Sequence, residues 1–247
     1  MLCHPFRCIY IHIPKAAGKS IHQFFAWKMG VYWNKGNYLL LNNNRDPAKG
    51  PPALSHLKAS EFIRYGYVTP ETFDSYFKFS FVRNPWARIV SEYTFRGHPC
   101  RYDFKTWLFQ HFPQPSWTDA YLHVIPQYDY LYDDKGNLLV DFVGKFETLR
   151  KDFAEICGRV GIPDGRLPHK NKNAIWSRIP RSTSDAKRIW REAFSAERRQ
   201  NTFARYEDYY DDETREFVAE LYLRDIETFG YEFGTSRHRE SRLVSPA

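Results

Sequence analysis

Arg7-Cys8-Ile9-Tyr10-Ile11-His12-Ile13-Pro14-Lys15-Ala16-Ala17-Gly18-Lys19-Ser20, followed by Ile21-His22-Gln23-Phe24-Phe25-Ala26-Trp27-Lys28-Met29-Gly30, decides how this chain folds. Residues 7–13 are short, β-branched and aromatic, and Pro14 stops them, which is the pattern of a buried strand. Residues 14–20 form a turn of small residues. From Lys19 the chain reads as a helix that closes near Gly30. Strand, tight loop and helix in that order make the front half of a phosphate-binding α/β unit. Small residues let the backbone bend round an anion, and the helix N-terminus offers free N–H groups to it.

Working outward, Lys78 to Val82 reads as a second strand, and Asn84 with Pro85 opens a helix through about Phe95 by cap-then-proline logic. Thr69 to Tyr76 starts another helix in the same way. Leu138 to Val143 is a candidate third strand. Glu147 to about Val160 is helical, as is Asp211 to Phe229, whose apolar residues recur at helical spacing. Residues 33–52 form a long Asn-, Gly- and Pro-rich loop, and 97–136 mix short helices with loops. Loops as long as 33–52 inside a compact domain are often functional. Residues 163–184 are basic and irregular.

Strands alternating with helices predict a three-layer α/β fold with a mainly parallel central sheet flanked by helices. A single domain is expected over 1–234, with a polar tail at 235–247. In such sheets ligands bind at the carboxyl ends of strands, and the loops after Ile13 and Val82 both leave such ends.

The 247 residues carry 36 basic and 29 acidic side chains, a net charge of +7, which suits anionic partners without choosing among them. No apolar run approaches the ~20 residues of a membrane span, and Ile9–Ile13 is too short for a signal-peptide core. A cytoplasmic protein with no membrane span is the simplest reading. The four cysteines form no CxxC pair. Cys3, His4, Cys8 and His12 cluster, but their spacing fits no common zinc pattern and they lie on a strand. No metal is called for.

Two constellations carry the chemistry. In the first loop, Gly18-Lys19-Ser20 resembles the end of a Walker A motif, but Ile13 stands where that motif needs glycine. Lys15, at the start of the loop, is placed to reach a bridging oxygen between two anionic groups. The bland alternative is a plain strand–helix turn. In the second, Arg83 stands at a strand end and Ser91 two helical turns on. A forked arginine suits a phosphate monoester, and the serine hydroxyl adds a neutral hydrogen bond. Alternatively, Arg83 caps the sheet and Ser91 packs.

Together these stretches resemble the carbohydrate sulfotransferases that use 3′-phosphoadenosine-5′-phosphosulfate (PAPS). The resemblance is to the branch of heparan 2-O- and chondroitin-type enzymes and their bacterial relatives. His12 through Ser20 is similar to that family's 5′-phosphosulfate loop, and Phe81 through Tyr93 to its 3′-phosphate element. Gln127-Tyr128-Asp129-Tyr130-Leu131, Asp141 through Glu147, Leu221 through Asp225 and Phe229-Gly230-Tyr231 extend the likeness. The resemblance implies a P-loop-like sulfotransferase fold and PAPS as donor co-substrate, with a carbohydrate or glycoconjugate acceptor. It implies that Lys15 stabilises the leaving oxygen while Ala16, Ala17, Gly18, Lys19 and Ser20 cradle the 5′ side. Arg83 and Ser91 hold the 3′-phosphate. Lys170 and Lys172, in a basic loop over 168–173, close over the nucleotide. The base is expected at His56, with His22, His98 and His123 as alternatives. Animal members carry a membrane anchor and luminal disulfides; neither is read here, which favours a bacterial cytoplasmic enzyme.

Two rival functions remain at this level. A P-loop kinase or NTPase is suggested by Gly18-Lys19-Ser20 and by a Walker-B-like strand ending in Asp141. A non-enzymatic basic module for nucleic acid or acidic glycan is suggested by charge, but no familiar nucleic-acid module is present.

Overall fold

The computed structural model describes residues 1–30, 39–167 and 200–234. Strand β1 (Leu2–Cys3) runs antiparallel to β2 (Cys8–Ile11), and the first loop leads into α1 (Gly18–Lys28). Two short helices follow, α2 (Glu61–Arg64) and α3 (Pro70–Ser75), then β3 (Phe77–Val82) and α4 (Pro85–Phe95). Next come α5 (Phe104–Gln110), α6 (Asp119–Leu122) and α7 (Tyr128–Leu131). The described chain closes with β4 (Phe142–Lys145), α8 (Leu149–Arg159), α9 (Asp212–Leu221) and α10 (Leu223–Phe229).

The sheet has order β1-β2-β3-β4, with β2, β3 and β4 parallel. It is therefore a mixed α/β structure with a mostly parallel sheet, as the alternation predicts. The register aligns Ile11 with Ser80 and Val82 with Lys145, so the loops after β2 and β3 emerge at the same end. That shared end is what brings residues so far apart in sequence into one site.

Aromatic side chains fill the layer under the sheet. Tyr10 stacks on Phe79 at 5.1 Å, and Phe24 of α1 meets Phe153 of α8 edge-on at 4.9 Å. Phe24, Phe25, Phe79, Phe81 and Phe153 are all fully buried. Each contributes about 1.5–3 kcal/mol by leaving water. Gly144 of β4 is needed for this packing: a Cβ there would stand 2.5 Å from the Phe81 ring.

The predicted caps form. Thr69 accepts from the Thr72 N–H and Asn84 from that of Ala87, while Asp211 and Thr214 make a reciprocal capping box. Three expectations are corrected. The antiparallel β1 was not read. The third strand is Phe142–Lys145 rather than Leu138–Val143, because the Asp141 carboxylate accepts the Lys78 N–H and so sits at the strand's entry. The final helix breaks at Tyr222, whose buried hydroxyl donates to the Val124 carbonyl and whose φ of −116° leaves the helical range. Among the described residues no helix is long and apolar enough to cross a membrane.

Candidate active site

The loop after β2 is wound tightly. Lys15 and Ala17 both adopt positive φ, 69° and 70°, although neither is glycine. Each such residue costs roughly 1–2 kcal/mol, which the aromatic layer beneath readily offsets. Strain of this kind, held in place by its surroundings, is a hallmark of functional loops. Ala17 caps α1 without a side-chain bond. Its carbonyl accepts from Ser20 and Ile21, and among the described residues the Gly18 and Lys19 N–H groups have no backbone acceptor. Ala16, Ala17, Gly18 and Ser20 are buried while Lys19 is exposed. Gly18 is required for a reason sequence reading missed: an added Cβ would lie 1.8 Å from Nε2 of the His12 ring.

Two cations meet at this loop. The Lys15 ammonium lies 3.6 Å from the centre of the Phe95 ring, and the Arg83 guanidinium 4.3 Å from that of Phe146. Arg83 donates from Nη1 to the Lys15 carbonyl at 3.2 Å. Its Nε has no hydrogen-bond partner, and no carboxylate pairs with either cation among the described residues. Burial pushes Lys15 down to about 8. Glu92 opposes that shift, and the positive charges of Arg83, Arg96 and Lys19 reinforce it. Burial likewise lowers Arg83 to about 10, against the attraction of Glu147. Half-buried cations without a contact ion pair are electrostatically costly, and a bound anion relieves that cost.

The Arg83 backbone is held from both sides. Gln127 accepts its N–H and donates to its carbonyl, both at 2.8 Å. Gln127 is held in turn by the buried Asp225 carboxylate, which accepts from the N–H groups of Gln127 and Tyr128 at 2.8 Å. Glu147 accepts from Asn84 N–H and from the Tyr231 hydroxyl. The weaker matches noted in the sequence therefore have physical work: they clamp the loop after β3. Arg88 is fully buried and ties the two loops, donating to the Pro14 and His123 carbonyls at 3.1 and 2.9 Å.

His56 lies at the end of a short 3-10 turn, Leu54–His56, and is buried. Its ring sits 4.6 Å from that of His12 and 5.1 Å from that of His123. Burial first, then the neighbouring His123, lowers it to about 4, so it is a neutral imidazole at pH 7. Phe95 joins it to the cations, lying under the Lys15 ammonium and stacking on His123. His123 contacts Glu92 at 2.7 Å; Arg96 bridges Glu92 and Asp119. Burial would raise Glu92, but the bonds from His123 and Arg96 prevail and hold it at about 2.

Arg83 thus touches Lys15 directly, while His56 is linked to Lys15 through His123 and Phe95. Ser91 is half-buried on α4, two turns beyond Arg83, and among the described residues no hydrogen bond links its hydroxyl to that arginine. Lys170 and Lys172 lie outside the described residues. Of the other histidines, His98 packs against the Tyr93 and Trp107 rings, whereas His22 packs on His12. Asp119, Glu92, Arg96, Gln127 and Asp225 were not singled out in sequence. The i,i+4 spacings of Glu92 with Arg96 and of Asp119 with His123 were the available signal.

The kinase reading loses its Walker-B-like carboxylate. Asp141 precedes β4 and pairs with Lys78, near the start of β3, at the end of the sheet opposite the loop after β2. The cysteine–histidine cluster also dissolves. Cys3 and Cys8 face each other across β1 and β2, while His4 bonds the Tyr76 hydroxyl. A cleft of about 700 Å³ lined by Lys58, Arg64, Tyr128, Asp133 and Arg224 contains none of these site residues.

With this geometry in place, comparison with known proteins is decisive at one level. The family described as the sulfotransferase family matches residues 1–232, so this chain belongs to the sulfotransferase family. A protein of Archaeoglobus fulgidus named only "Uncharacterized protein" is 37 % identical over 99 residues, covering 39 % of this chain and 78 % of the relative. No solved structure matches the chain.

Proposed function

We propose that this sulfotransferase, acting as one unit over 1–234 with a P-loop-like fold, uses PAPS as donor. It moves the sulfuryl group to an acceptor hydroxyl on a carbohydrate or glycoconjugate, in the manner of the heparan 2-O- and chondroitin-type branch. The observation that carries this reading is the pair Lys15 and Arg83. They are two half-buried cations in contact at the shared carboxyl end of β2 and β3, without carboxylate partners among the described residues.

The acceptor oxygen attacks sulfur in line as the bond from sulfur to the 5′-phosphate oxygen breaks. The acceptor proton passes to the neutral His56, and the negative charge growing on the leaving phosphate oxygen is met by the Lys15 ammonium. The Gly18 and Lys19 N–H groups cradle the 5′ side; Arg83, with Ser91, holds the 3′-phosphate. Catalysis is then positioning plus electrostatics, as in phosphoryl transfer, and needs no metal.

Calorimetric titration with 3′,5′-ADP, 5′-AMP and ATP–magnesium tests the donor site. Wild type should bind 3′,5′-ADP tightly without metal and 5′-AMP weakly, and Arg83→Ala should lose that preference. Binding of ATP–magnesium but not 3′,5′-ADP would overturn the reading. His56→Ala should retain 3′,5′-ADP binding yet lose turnover, by ~10²–10⁴-fold for a general base.

A further inference from the structure

Beside the donor loop, three acceptor atoms converge. Asp119 Oδ1 lies 3.8 Å from His56 Nε2 and 3.6 Å from His123 Nε2. All three ligand atoms fall within 4.8 Å of one another. Among the described residues no hydrogen bond from a protein donor reaches these three atoms, and each group is held from its far side. His123 Nδ1 donates to Glu92 at 2.7 Å, His56 Nδ1 faces the His12 carbonyl at 3.5 Å, and Arg96 holds the other Asp119 oxygen, Oδ2, at 2.8 Å. Those outer bonds fix both rings with Nε2 turned inward. A cation at the centre would meet all three atoms.

We infer that His56 Nε2, His123 Nε2 and Asp119 Oδ1 form a binding site for a divalent transition-metal ion of the zinc class. A tetrahedral ion with bonds near 2.1 Å wants ligands about 3.4 Å apart, which Asp119 nearly satisfies toward both histidines. Two imidazoles and one carboxylate select zinc, cobalt or nickel over magnesium or calcium. The outer partners match what metal-binding histidines require: a carboxylate behind one ring and a backbone carbonyl behind the other. Asp119, whose side chain is 43 % exposed beside two histidines at 8 %, gives the ion its way in and leaves a fourth position for a small oxygen ligand.

The site has a consequence for the proposed transfer reaction, and that consequence alone rests on it. An ion on His56 Nε2 takes the lone pair that would receive the acceptor proton. Zinc at the site therefore inhibits turnover while leaving 3′,5′-ADP binding in place.

The test is direct binding to the full chain. Zinc is titrated calorimetrically, and cobalt(II) is followed by its visible d–d absorption, in wild type, Asp119→Asn, His123→Gln, Glu92→Gln and the exposed control His111→Gln. Wild type and His111→Gln should each bind one ion. Asp119→Asn and His123→Gln should weaken binding by at least about tenfold, and Glu92→Gln by roughly 10–100-fold through the outer carboxylate. Absence of a one-to-one site in wild type overturns the inference, as does zinc affinity unchanged by Asp119→Asn. Should His123→Gln fail to fold, the half-exposed Asp119 position still decides. Zinc binding without inhibition would leave the site standing and sink His56 as base.

Discussion

Replacing Gly18 with alanine sets two opposing effects against each other. Gly18 is the first residue of α1 and has no positive φ, so alanine should favour the helix by at most about 1 kcal/mol. Against this, the new Cβ would stand 1.8, 1.9 and 2.4 Å from three atoms of the His12 ring. Relief requires the ring to move by more than an ångström. It has little room to do so, with Tyr10, His22 and His56 packed on it at 5.7, 4.6 and 4.6 Å. Overpacking of this kind costs ~1–3 kcal/mol, and the boxed ring places it at the upper end. The net expectation is a loss of about 2 kcal/mol, or roughly 4–8 °C in Tm for a domain this size. Urea and thermal unfolding read the stability, and 3′,5′-ADP titration reads the loop. His12→Ala made in the Gly18→Ala background should recover a large part of the loss, giving a coupling that additive sites never show. Gly18→Ala with wild-type or raised stability would refute the reasoning.

Three further outcomes follow from the same geometry. Because burial holds Lys15 near 8 in the free protein, an anion bound beside it should pull a proton onto the ammonium. At pH 8.5 binding of 3′,5′-ADP should take up roughly 0.7 proton, falling toward zero at pH 6.5, as measured by calorimetry in buffers of different ionisation enthalpy. Since the folded value lies below that of the unfolded chain, the contribution of Lys15 to stability should grow with pH between about 8 and 10.5, read as the difference between wild type and Lys15→Met. Asp225→Ala should strip three hydrogen bonds from Gln127 and Tyr128 in a buried setting, costing more than about 3 kcal/mol. Through Gln127 it should also weaken 3′,5′-ADP binding. Unchanged affinity in a folded Asp225→Ala or Asp225→Asn variant would show that the clamp on Arg83 is dispensable.

The strand–loop–helix at residues 7–30 and the cap at Asn84 were legible because both are local. Apolar runs, prolines and capping side chains act within a few residues, so spacing alone places them. Lys15 and Arg83 stood out for the same reason: a cation at a strand end is visible in one dimension. What spacing could not reveal is which side chains face each other across the fold. Asp225 reaches Gln127 over nearly a hundred positions, and Glu147 joins Asn84 to Tyr231. Asp141 looked like a Walker-B carboxylate until the parallel register put it at the end of the sheet away from the loops after β2 and β3. His56 was one histidine among nine in sequence; only packing sets its ring against His12 and His123, with Asp119 beyond. Local propensity and composition therefore determined the α/β class and the strand–loop–helix at its start. Burial and the alignment of distant segments, which depend on the whole chain collapsing around one sheet, decided which side chains surround His56 and which lie against Lys15 and Arg83.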